Sequence, residues 1–158
     1  MRPEQHVTLS LGSGVILWLL MQSWIAGVSC CLAGILIDLD HGFEFWLNRG
    51  FSLSLNEFLD FIYNGTSTKF YDAFHAYEYT FLLLWIATIP GFRELGWGLT
   101  AGYLLHLAAD QCFNIHLNKW TYFLTYRVMV RFDSSRIVLS RPCNVPSPVA
   151  KAGRGLFR

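Results

Sequence analysis

Val7–Ile37 reads VTLSLGSGVILWLLMQSWIAGVSCCLAGILI and contains no charged side chain. Two structures satisfy it. One is a single apolar span, which has to run unbroken through Gly12, Gly14 and Gly27. The other is a hairpin of two short helices, Thr8–Met21 and Trp24–Ile37, turning at Gln22-Ser23. At 1.5 Å per residue each arm is about 20 Å long, short of a hydrocarbon core of about 30 Å. The hairpin is the preferred reading, partly embedded or crossing a locally thinned bilayer.

Two more apolar stretches follow. Tyr77–Phe92 closes at Pro90-Gly91. Leu95–Phe113 carries Gly96, Gly98 and Gly102, which permit close helix contact. Between the hairpin and these stretches, Asp38–Asp72 mixes charges with aromatics and reads as interfacial. Ser54-Leu-Asn-Glu57 there resembles a capping box that starts a short helix, Leu55–Tyr63, ended by Asn64-Gly65. Trp120–Val130 reads as an amphipathic helix anchored by Trp120, Tyr122, Phe123 and Tyr126. The expected fold is all-α: a compact bundle of about four apolar helices plus short interfacial helices, membrane-embedded or membrane-associated. It occupies residues 1–139, and 140–158 reads as a disordered basic tail containing Pro and Gly. A soluble five-helix domain is the alternative.

Composition agrees. Charged residues are 15% of the 158 and aromatics 16%, whereas a soluble domain carries about 25% charged residues. Net charge is +1, but eight of the twelve Lys and Arg residues lie between Lys119 and Arg158. A basic segment beside apolar helices reads as cytoplasmic and suits anionic lipid headgroups. Nucleic acid is disfavoured, because no binding-module signature is present. Cys30, Cys31, Cys112 and Cys143 form no C-x-x-C pair and read as reduced packing residues.

Metal-ligand residue types fall in four islands: His6; Asp38, Asp40 and His41; His75 and Glu78; His106 and Asp110. Each borders or enters an apolar stretch. If the four apolar segments alternate in direction, all four islands fall at one end, the end from which the basic segment emerges. His106 and Asp110 at i, i+4 share a helix face, as do His75 and Glu78 at i, i+3. Ionisable groups within apolar helices are expensive and tend to be functional. Imidazole and carboxylate ligands suit Zn²⁺, Mn²⁺ or Fe²⁺, and the absence of thiolates argues against a structural zinc site. His116 is set aside as a spare candidate.

Asp38-Leu-Asp40-His41, Phe74-His75-x-x-Glu78 and Gly102-Tyr-Leu-Leu-His106-Leu-Ala-Ala-Asp110-Gln111 together resemble the bacterial membrane-bound metal-dependent hydrolases. These are inner-membrane proteins distantly similar to zinc-dependent phospholipase C. Tyr122–Arg127 and Arg131-Phe132 also resemble one branch of that family. Two flanks differ: Gln5-His6 stands where the family often has Thr-His, and Phe74-His75-Ala76 where it often has Thr-His-Ser.

The resemblance implies a membrane hydrolase of a phosphoester, carried by a lipid or another amphiphile, with the site facing the cytoplasm from the inner membrane. One or two divalent ions, Zn²⁺ first and Mn²⁺ or Fe²⁺ next, would be held by Asp38, Asp40, His41, His75, His106, Asp110 and His6. Glu78 is the expected general base or a partner of His75, and Asp40 a second catalytic carboxylate. Two other classes fit the same residues: a membrane metal-ion carrier without catalysis, and a scaffold whose polar islands are helix caps. The oligomeric state is left open.

Overall fold

The computed structural model describes residues 3–64 and 69–139. The described residues are all helical apart from loops and two isolated bridges. The helices are α1 Pro3–Met21, α2 Trp24–Leu36, α3 Leu39–Arg49, α4 Leu55–Asn64, α5 Tyr79–Thr88, α6 Arg93–Phe113, α7 Leu124–Met129 and α8 Ser134–Ile137, with a 3-10 turn at Lys119–Tyr122 before α7. The tail expected over 140–158 lies outside the described residues.

The charge-free stretch is a hairpin. Gln22 takes a positive φ of 51° at its turn, and Ser23 caps α2 by accepting the Ala26 N–H. α2 is the central helix, packed on α1 and on α6, and α5 packs on α6. Close approach explains the glycines. A Cβ on Gly102 would run into the Cys30 backbone carbonyl, and one on Gly98 into the Ala26 carbonyl. The sequence Gly98-Leu-Thr-Ala-Gly102 therefore seats α6 against α2 backbone to backbone, the contact that small residues at i, i+4 allow.

Apolar side chains point outward along this bundle. Leu20, Trp24, Phe81 and Trp85 are 61–77% exposed. By length and composition one helix qualifies as a membrane span, the 26-residue stretch Trp24–Arg49 formed by α2 and α3 together. Among the described residues no other helix meets that test, and α5 is a shorter apolar helix.

Two elements depart from the expectation. α3 was not anticipated, because its polarity is inverted: Asp40 and Glu44, at i, i+4, are buried, while Leu39, Phe43 and Leu47 are exposed. An inside-out helix does not carry the apolar stripe that periodicity searches for. The expected helix Trp120–Val130 is instead interrupted at Phe123, which is extended at φ −116°, ψ 121°. Asn118 caps the 3-10 turn by accepting the Trp120 N–H, and a carboxylate from elsewhere starts α7 anew. α4 follows its expected cap, with Ser54 Oγ accepting the Glu57 N–H.

Candidate metal centre

The ligand end is built from four places in the chain. The first turns of α1 bring His6, and the junction of α2 and α3 brings Asp38, Asp40 and His41. The loop before α5 brings Asp72 and His75, and the late turns of α6 bring His106 and Asp110. His6, Asp40, Asp72, His75, His106 and Asp110 are all at or below 5% exposure.

Four atoms converge. His75 Nε2 lies 3.2 Å from His106 Nε2, 3.3 Å from Asp110 Oδ2 and 3.6 Å from Asp38 Oδ1. His106 Nε2 lies 3.3 Å from Asp38 Oδ1 and 3.4 Å from Asp110 Oδ2. A tetrahedral ion with bonds of about 2.1 Å has ligand–ligand edges of about 3.4 Å. The observed separations bracket that edge length.

The imidazoles are oriented for ligation. His106 Nδ1 lies 2.8 Å from the Gly34 carbonyl, an acceptor only, so the ring donates there and presents the Nε2 lone pair inward. His75 Nδ1 lies 3.0 Å from Asp40 Oδ2 and does the same. A carbonyl or carboxylate behind a ligating imidazole fixes its tautomer and raises its basicity. Two Nε2 lone pairs at 3.2 Å repel unless a proton or a cation sits between them. Burial works against a charged His75, but the adjoining Asp110, Asp38 and Asp40 carboxylates outweigh it and hold the ring pKa well above its ordinary value. A metal ion displaces that proton, so binding is coupled to proton release.

His6 approaches from the other side. Its Nε2 lies 3.1 Å from Asp110 Oδ1, and its ring stacks on His106 with centroids 4.2 Å apart. His6, His106 and Asp110 each offer an atom within 4.8 Å of the others. Asp38 and His41 form the mouth, with side chains 29% and 32% exposed.

The structure separates two expected residues from the rest. Glu78 does not face the cluster. Its carboxylate accepts the Leu124 and Thr125 N–H groups at 3.0 and 2.9 Å and the Thr125 hydroxyl, and so starts α7. Those donors outweigh desolvation and hold the Glu78 carboxyl below its usual pKa. Asp40 stands behind His75, not at the mouth. His116 is exposed.

Other residues were not singled out from sequence. Arg127, read as part of the basic segment, is fully buried at 0% exposure. Its guanidinium donates to the carbonyls of Tyr71, Asp72 and His75 and so clamps the loop that carries Asp72 and His75. Tyr103 holds the same loop from α6. Its hydroxyl accepts the Ala76 N–H at 3.1 Å and lies 2.6 Å from the Phe74 and Ala76 carbonyls. Asp72 approaches His41 Nδ1 at 3.1 Å, and Glu44 lies against Asp72. The one available signal was Glu44 at i+4 from Asp40.

The donor set of two imidazoles and two carboxylates, with no thiolate, fits an ion of the Zn²⁺, Mn²⁺ or Fe²⁺ group. No protein-family model, curated protein or solved structure matches this chain.

Proposed function

We propose that this protein is a membrane-associated, metal-dependent hydrolase of a phosphoester borne by a lipid or similar amphiphile. The observation that carries the reading is the convergence of Asp38 Oδ1, His75 Nε2, His106 Nε2 and Asp110 Oδ2 at edges of 3.2–3.6 Å. Zn²⁺ suits those edges best. A bound ion supplies Lewis acidity and a water acidified toward neutral pKa.

The chain's own residues do the rest. Gly34 and Asp40 hold the two imidazoles in the ligating tautomer. Asp38 is the ligand at the mouth, so it is the one placed to yield a coordination position to solvent and to take a proton from the incoming water. Leu39 and Phe74, the chain neighbours of Asp38 and His75, are exposed, and the apolar part of an amphiphile would rest on them. The site lies at one end of an apolar bundle, which supports residence at a membrane interface. The cytoplasmic face of a bacterial inner membrane is the reading that the basic segment favours.

One observation favours a second reading. Four side chains are offered to one ion, and a site closed by four protein ligands holds metal without catalysis. A metal-binding or carrier protein is then the outcome. Hydrolysis of a chromogenic phosphodiester by detergent-solubilised protein decides between them. The hydrolase reading expects activity that is lost on chelation, restored by Zn²⁺, and abolished in Asp38→Asn with zinc still bound. Stoichiometric zinc with no turnover of water-soluble or lipid phosphodiesters contradicts it.

A further inference from the structure

We infer that the protein holds a second divalent cation, of different ligand chemistry, between α3 and the loop before α5, on Asp40 Oδ1, His41 Nδ1 and Asp72 Oδ1. These three atoms lie within 4.8 Å of one another. Two of them are buried oxygens without a hydrogen-bond partner, Asp40 Oδ1 and Asp72 Oδ1, on residues only 2% and 4% exposed. Burying an ionised oxygen without a partner costs several kcal/mol, and proteins avoid it. His41 Nδ1 is 3.1 Å from Asp72 Oδ1 and 4.0 Å from Asp40 Oδ1. The shorter approach is an ion pair when the His41 ring is protonated, and a cation bound there takes the place of that proton. All three atoms thus face a shared space.

The distances also differ from those of the first centre. Octahedral ligands at about 2.1 Å stand about 3.0 Å apart when cis and about 4.2 Å when trans. The separations of 3.1 and 4.0 Å match that pattern, whereas the five separations at the first centre are 3.2–3.6 Å. Two carboxylates and one imidazole, with waters to complete the shell, select an oxygen-preferring cation, and the imidazole favours Mn²⁺ over Mg²⁺.

The two centres share Asp40. Its Oδ2 stands behind His75 at 3.0 Å, and its Oδ1 faces the second cation. Occupancy there draws electron density from Asp40 and weakens the donor strength of His75 toward the first ion. The second cation is therefore a modulator of the first centre, and its existence does not depend on hydrolysis.

The test is a Mn²⁺ titration of EDTA-stripped full-length protein preloaded with Zn²⁺, with free Mn²⁺ followed by electron paramagnetic resonance. Wild type is expected to take up about one Mn²⁺ per chain with zinc still bound. Asp72→Asn and His41→Ala are expected to weaken Mn²⁺ binding at least about tenfold, with zinc stoichiometry unchanged in Asp72→Asn. His41 is partly exposed, so its variant serves if Asp72→Asn does not fold. No Mn²⁺ uptake by zinc-loaded wild type, or wild-type uptake in His41→Ala, overturns the inference. Loss of Mn²⁺ binding in His106→Ala/Asp110→Ala with retention in His41→Ala overturns it too, by placing Mn²⁺ at the first centre. Mn²⁺ uptake without zinc binding keeps this inference and removes the proposed hydrolase centre.

Discussion

His106 and Asp110 stand one turn apart on a 21-residue helix, while Asp72 and His75 stand on a loop with no periodic structure. Both halves contribute buried ligands to one end of the molecule, but they are held by different means. The helical half is positioned by its own hydrogen bonds and by glycine-mediated contact with α2. The loop half has no ladder. It is positioned by donors and acceptors from distant residues, Arg127 and Tyr103 foremost, and by the bonds Phe70 N–H to Phe132 O and Tyr77 N–H to Tyr122 O. The site is thus half prebuilt and half assembled by the C-terminal segment, and substitutions separate the two.

The largest effect is expected from Arg127→Met. Three buried backbone carbonyls lose a charged donor, and each buried group left unsatisfied costs about 1–3 kcal/mol. A fall in thermal midpoint, with loss of zinc retention, is the result to look for by calorimetry and metal analysis; unchanged stability means that the loop orders itself. Gly102→Ala attacks the other half. Its Cβ would strike the Cys30 carbonyl, and backbone cannot swing aside as a side chain does, so about 1–3 kcal/mol is expected, again read by thermal unfolding.

Tyr103→Phe comes next. It leaves the Ala76 N–H buried without its acceptor, which costs about 1–3 kcal/mol. Weaker zinc affinity is expected with the α6 ligands intact, and titration calorimetry measures it. The smallest effect belongs to Glu78→Gln. The folded carboxyl sits below its ordinary pKa, so its contribution is present above the unfolded pKa and is lost as pH falls through the folded one. Wild type should lose stability on acidification more steeply than the variant, with little difference in zinc content. A large loss of zinc in Glu78→Gln would return Glu78 to the metal centre.

The same contrast explains what could be read from the sequence. The α1–α2 hairpin, the glycine face of α6 and the pair His106 and Asp110 obey helical spacing, so charge and periodicity find them. α3 defied that rule because its polar face is inside. Trp120–Val130 looked like one helix because nothing local announces that Glu78, far away in sequence, supplies a new start at Leu124. Arg127 was taken as surface charge, since composition cannot distinguish a guanidinium that faces headgroups from one that faces carbonyls. Asp72 and Glu44 gain meaning only from the loop's path over α3. Local pattern was legible; groups whose role comes from tertiary partners were not.

The account rests on one centre made by both halves. X-ray absorption at the zinc edge, on protein loaded with one equivalent of Zn²⁺, tests it most directly. A first shell of two imidazole nitrogens and two oxygens at about 2.0–2.1 Å is expected, with one nitrogen lost in His75→Ala and the other in His106→Ala. A shell of six oxygens, or one that neither substitution alters, would contradict it.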